Sequence, residues 1–143
     1  MDTDADRSEE QAYHEVSAYT LTRGDPEFIH QHVVDAWAAQ HARPDRKPIG
    51  VFFALAGLYL HVERGYTGRA VQRAHFELAR HPEPWPVGPL PATRGAITAL
   101  DVVAAPEGAE RDAMIHAWAQ AVWEAFAECR GPVVELLRRR GID

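Results

Sequence analysis

An all-α fold is expected, and three features predict it. Apolar residues recur at helical spacing through the long segments, capping residues stand at the segment ends, and no stretch alternates convincingly at period two. The expected architecture is a compact bundle of about five to seven helices with a proline-rich loop and no sheet.

Residues 1–7 are polar and acidic and are expected to be a disordered lead-in, with a single helical domain over residues 8–143. Ser8 is a natural N-cap for a first helix running to about Thr22, and Gly24 ends it in a left-handed turn. Asp25 and Pro26 together restart the chain as cap and first helical residue, so a second helix is expected from there to Ala42. Arg43-Pro44-Asp45 makes a turn. The third helix, from Pro48 to Gly65, is apolar on nearly every side, which marks the central helix. Its exception is the small-residue stripe Gly50, Ala54, Gly57, where another backbone can come close.

Thr67 caps a fourth helix reaching Arg80. The loop over residues 81–97 holds five of the ten prolines, a density incompatible with helix. It reads as a stiff strap laid across the bundle, anchored by Trp85, with a functional loop as the alternative. Thr98 and Asp101 form a capping box for a short helix. A longer helix over residues 107–129 carries the stripe Ile115, Trp118, Val122, Phe126. Gly131-Pro132 breaks it, and a last short helix carries Val133, Val134, Leu136 and Leu137.

Composition narrows the function classes. The 143 residues are 46% hydrophobic, enough to bury a core as one domain without staples. A net charge of -6 argues against nucleic acid and anionic membranes, which need clustered positive charge. The apolar run Ile49 to Val62 is shorter than the roughly 20 residues a bilayer span needs. A single cysteine, Cys129, permits no internal disulfide and no all-cysteine zinc site, and points to a reducing cytoplasm. Ser8 and Ser17, the two serines, lie in no nucleophile elbow, and there is no glycine-rich phosphate loop. His14-Glu15 opens like a zinc-protease helix, but Ala18 stands where the second histidine belongs.

Eight histidines remain. Steps of about 100° per residue put His30 and His41 beside the apolar centre of the second helix, and His32 and Asp35 on the opposite, wet face. His61 continues the small-residue stripe of the third helix, and His75 shares a face with Val71, Leu78 and Ala79. If the second and third helices form an antiparallel hairpin, His30 and His61 are level. One layer then holds His30, His61 and His75, with Glu15 or His14 from the first helix; His41, also facing the core, is a further candidate ligand. Imidazoles with a carboxylate suit zinc, iron, copper or nickel, and bundle cores are where helical proteins build such sites. Glu63 and Asp35 are the candidate acid–base partners for a histidine. The bland alternative is that each histidine is a core residue satisfied by one carbonyl or by Tyr13, Tyr19 or Tyr59.

Four strings carry a resemblance. They are His30-Gln31 with Val34-Asp35-Ala36-Trp37-Ala38-Ala39-Gln40-His41; Leu58-Tyr59-Leu60-His61-Val62-Glu63-Arg64-Gly65; residues 98–105; and Ala121-Val122-Trp123-Glu124-Ala125-Phe126. Together they resemble a bacterial family of unknown function, DUF5946. The resemblance implies a helical domain and no established activity. Many members begin with a Cys-Pro-x-Cys segment that looks metal-binding, and this chain has no cysteine there.

The leading functional expectation is therefore a helical protein with a histidine-rich interior site for a divalent transition metal and a small-molecule ligand, leaving open whether it is an enzyme. The alternative is a non-catalytic interaction module or homodimer that uses Trp85 or Trp123, with structural histidines inside.

Overall fold

The computed structural model describes the backbone from residue 2 to residue 143 and side chains from residue 8 onward. The described residues form seven helices: α1 (Asp2–Thr22), α2 (His30–Gln40), α3 (Pro48–Val62), α4 (Gly68–Arg80), α5 (Ala99–Ala104), α6 (Ala109–Ala125) and α7 (Gly131–Arg139). Where a disordered lead-in was expected over residues 1–7, the backbone from Asp2 onward forms the first turns of α1, so that helix does not start at a Ser8 cap; the side chains of these residues lie outside the description. There is no strand among the described residues.

Most boundaries follow local chemistry. The Thr67 hydroxyl accepts from the Ala70 amide, and Thr98 with Asp101 completes the capping box of α5. α3 stops where Gly65 turns left-handed at φ +73°, a conformation that costs glycine little. The start of α2 is also a correction. Asp25 and Pro26 do not open α2, which begins at His30. The Asp25 carboxylate instead accepts from the amides of Glu27 and Ile29, both at 2.9 Å, and closes a turn. Phe28 then adopts φ +58°, which interrupts any helix started at Pro26.

α3 and α2 form the centre. Phe52, Leu55, Leu58, Tyr59 and Leu60 of α3 are buried, as are Trp118, Val122 and Trp123 of α6. α2 packs against α1, α3, α4 and α6, so it has almost no wet face. That enclosure overturns the expected exposure of His32 and Asp35, which are each only 3% exposed.

α2 meets α3 at Gly57. A Cβ there would lie 1.9 Å from Asp35 Oδ2 and 2.7 Å from its Cγ, so the carboxyl occupies the space a side chain would fill. Gln31 Nε2 donates to Asp35 Oδ1 at 3.1 Å, while Oδ2 has no partner. Burial pushes this carboxyl well above the usual carboxylate range, so it is held neutral.

The proline segment is a strap. Trp85 packs between Phe52 and Phe53 at ring separations of 5.0 and 5.2 Å, and Glu83 pairs with Arg139 and Arg140. At its other end Arg94 donates to the carbonyls of Ala39, Gln40 and Ala42, capping the C-terminus of α2. Gln40 ties the same corner together, donating to the Arg94 and Ile97 carbonyls and accepting from Trp118 Nε1.

The Gly57 contact yields a stability prediction. Gly57→Ala must displace the Asp35 carboxyl and is expected to cost about 3 kcal/mol by overpacking. Asp35→Ala should recover most of that loss in the double mutant, read as coupling in a denaturation cycle. Additive losses would show that the notch is not what joins the two helices.

Candidate functional site

Three imidazoles meet where the start of α2, the end of α3 and the middle of α6 converge. His32 lies flat on His61, with ring centroids 3.5 Å apart and planes at 15°. His116 Nδ1 is 2.9 Å from His61 Nε2, with centroids 4.9 Å apart. His32 and His116 are farther apart, at 5.9 Å.

The hairpin register explains the first pair. Asp35 faces Gly57, and one turn along the antiparallel helices His32 faces His61. The expected depth of α2 relative to α3 was therefore right, but the face was wrong. His32, two residues and about 200° away from His30, meets His61.

The proton positions follow from hydrogen bonding. His61 Nδ1 lies 3.2 Å from the Tyr66 carbonyl, which can only accept, so Nδ1 carries the proton. Burial lowers the His61 pKa to about 4, with the neighbouring His116 adding to the effect against the Tyr66 hydrogen bond. Neutral His61 thus has its lone pair at Nε2, where it accepts the hydrogen bond from His116 Nδ1. His32 is pushed down to about 2, first by burial and then by His61 and His116. Its Nδ1 is buried without a partner.

These rings open onto a cleft of about 420 Å³. Its walls include Arg23, Asp25, Glu27, Tyr66, Thr67 and Asp112. Arg23 pairs with Asp112 at 2.7 Å and with Asp25 at 3.6 Å, and Tyr19 donates to Asp112 at 2.9 Å. Three carboxylates against one guanidinium leave this rim acidic.

Of the six residues expected as metal ligands, the structure brings only His61 to this cluster. His30 Nδ1 is 2.9 Å from the Thr20 hydroxyl, and His75 Nε2 donates to the Phe53 carbonyl at 2.8 Å. Local acceptors satisfy both. His41 stacks on Trp37 at 3.7 Å and lies 3.7 Å from Glu9. His14 is exposed beside Glu10, and Glu15 is exposed. Among the described residues, no three histidine, cysteine, aspartate or glutamate side chains are arranged to hold a metal ion.

The structure places neither acid–base candidate beside a histidine of the cluster. Glu63 accepts from Trp123 Nε1 at 2.5 Å and lies 3.9 Å from Arg130. Asp35 is enclosed against Gly57. Neither lines the histidine cleft. None of the three tyrosines serves a histidine: Tyr13 stacks on Trp37, Tyr19 bonds Gly108 and Asp112, and Tyr59 donates to Asp143. Trp123, expected on an outer surface, is 1% exposed.

Two site residues escaped the sequence reading. His32 was legible only through the register that the Asp35–Gly57 contact imposes. His116 carries no periodic signal beyond standing one turn after Asp112 on α6.

The site makes stability depend on pH. Both folded pKa values lie below the ordinary 6.5, so below that pH the unfolded chain takes up more protons. This contribution is full above pH 6.5 and is lost as pH falls toward 4 and then 2. Asp35 acts in the opposite sense: above pH 3.8 the unfolded chain's carboxyl ionises while the folded one stays neutral, so its contribution to stability falls as pH rises. His32→Phe keeps a ring on His61 but cannot be protonated. Melting scans between pH 7 and 4.5 should show a shallower fall for this variant than for the parent, and equal slopes would contradict the assignment.

The family described as "Family of unknown function (DUF5946)" matches residues 7–127. No curated protein and no solved structure matches the chain. No helix among the described residues is long and apolar enough to cross a membrane.

Proposed function

This chain belongs to the DUF5946 family, and from that premise we propose that it is a ligand-binding helical protein whose histidine cleft takes up a divalent transition-metal ion with a small molecule beside it. One observation carries the reading: the His61 Nε2 lone pair, paired only with the ring of His116 at 2.9 Å, beside an open cleft with an acidic rim.

Neutral imidazole is the ligating form, and burial keeps His61 neutral. A backbone carbonyl on the far ring nitrogen is the arrangement that orients ligating histidines, and Tyr66 supplies it. Asp25, Glu27 and Asp112 outnumber Arg23 at the rim and favour a cation over an anion. Two protein nitrogens leave the ion's other positions to water or to a ligand. The cleft volume of about 420 Å³ falls in the range of small-molecule pockets. The single cysteine accords with a reducing, cytoplasmic setting.

Calorimetric titration of tag-free full-length protein with Co2+, Ni2+ and Zn2+ tests this. Saturable uptake of one ion per chain is expected. His61→Ala and His116→Ala should each weaken it about tenfold or more, while His30→Ala and His75→Ala leave it unchanged. No saturable uptake of any of the three ions, or equal losses for all four variants, would sink the reading.

A further inference from the structure

We propose that the turn joining α2 to α3 carries a second binding site, for a small planar aromatic acid, with His41 as the stacking platform and Arg46 and Lys47 holding the acid group. This goes beyond the metal-binding reading and does not depend on it. The two sites lie toward opposite ends of α2, a helix about 16 Å long. His32 stands near its start, and His41 follows its last residue.

The platform is built by stacking. Tyr13 lies on Trp37 with ring centroids 4.4 Å apart and planes at 10°. His41 lies on Trp37 at 3.7 Å and 29°. His41 Nδ1 is 3.1 Å from the Trp37 carbonyl, which can only accept, so this nitrogen donates and the bond fixes the ring over the indole. Trp37 is thus engaged by two rings. His41 ends the column and is exposed, so it is the ring left to receive a planar ligand.

Two adjoining hollows meet at this ring. One has a volume of about 260 Å³ and the other about 580 Å³, and both are lined by Trp37, His41, Ala42, Arg43 and Arg46. Lys47 lines the smaller one, with Ala38 and Val51 as an apolar wall. No carboxylate among the described residues lines that hollow. Its size and its apolar wall fit one or two fused rings.

Charge decides which ring compounds fit. Asp45 matches Arg43 at 2.9 Å. Glu9 lies 3.7 Å from His41 Nε2 and, with Glu10, lines the larger hollow. Arg94 lines the larger hollow too, but its guanidinium is engaged by the carbonyls that end α2. Arg46 and Lys47 are exposed, and neither pairs with a carboxylate among the described residues. A chain of net charge -6 therefore sets two unmatched cations beside an open aromatic stack. An aromatic acid meets both features at once. An aliphatic acid of the same charge lacks the stack, and a ring amine is repelled by the cations.

Calorimetric titration of the full-length protein with 2-naphthoate, 2-naphthylmethylamine and cyclohexanecarboxylate tests this. Saturable binding of one 2-naphthoate per chain is expected, with the amine and the aliphatic acid each weaker by about tenfold or more. Replacing both cations, Arg46→Gln with Lys47→Gln, should weaken 2-naphthoate by about fivefold or more, since each exposed ion pair contributes modestly. His41→Ala should weaken it by about tenfold, and His41→Phe, which keeps a ring on Trp37, should restore it. His61→Ala should leave it unchanged.

No saturable binding of 2-naphthoate, equal binding of the amine, or a loss in His61→Ala that the Arg46 and Lys47 variant does not share would overturn the proposal. Each of these outcomes leaves the metal-binding reading to its own titration.

Discussion

The contact between Asp35 and Gly57 fixes how α2 lies on α3, and the candidate site depends on it. A neutral carboxyl of α2 fills the notch left by a missing side chain on α3, which holds the two helices at one register. In an antiparallel pair that register extends one turn to His32 against His61. A slide by one residue along α2 would turn His32 by about 100° and break the stack. The interaction carries a cost, since Asp35 Oδ2 is buried without a partner. The space at Gly57 admits the carboxyl and little else.

The same economy of charge runs through the interior. Burial holds His32, His61, His75 and Asp35 in their uncharged forms, because ions in a low-dielectric core are costly without partners. Hydrogen bonding then sorts the histidines into two kinds. His75 uses a nitrogen on a nearby carbonyl, and His30 one on a threonine hydroxyl, and both are structural. His61 uses its far nitrogen on Tyr66 and turns the near one toward the cleft. That difference separates a core histidine from a candidate ligand.

The polar letters of the family string have scaffold roles here. Asp35 joins α2 to α3, Gln40 joins α2 to α6 and the strap, and His41 extends the Tyr13–Trp37 stack. Arg94 completes the corner by capping α2 with its cation. The strap thereby closes the bundle opposite the cleft end of α2.

The amino-acid sequence by itself determined the class of fold and most of the helix boundaries. Caps such as Thr67 and Thr98, the left-handed Gly65 and the proline run act over a few residues, so they are legible locally. It also determined that α3 is central and that α2 and α3 pair at the depth of His61. Only the tertiary structure decided which faces are buried. A helical wheel assumes one wet side, and α2 is enclosed by four helices, so His32 and Asp35 went inside against their polarity. His116 joined the site through the packing of α6 on α2 and α3, a contact between residues 55 positions apart, and neither periodicity nor spacing encodes such a distance.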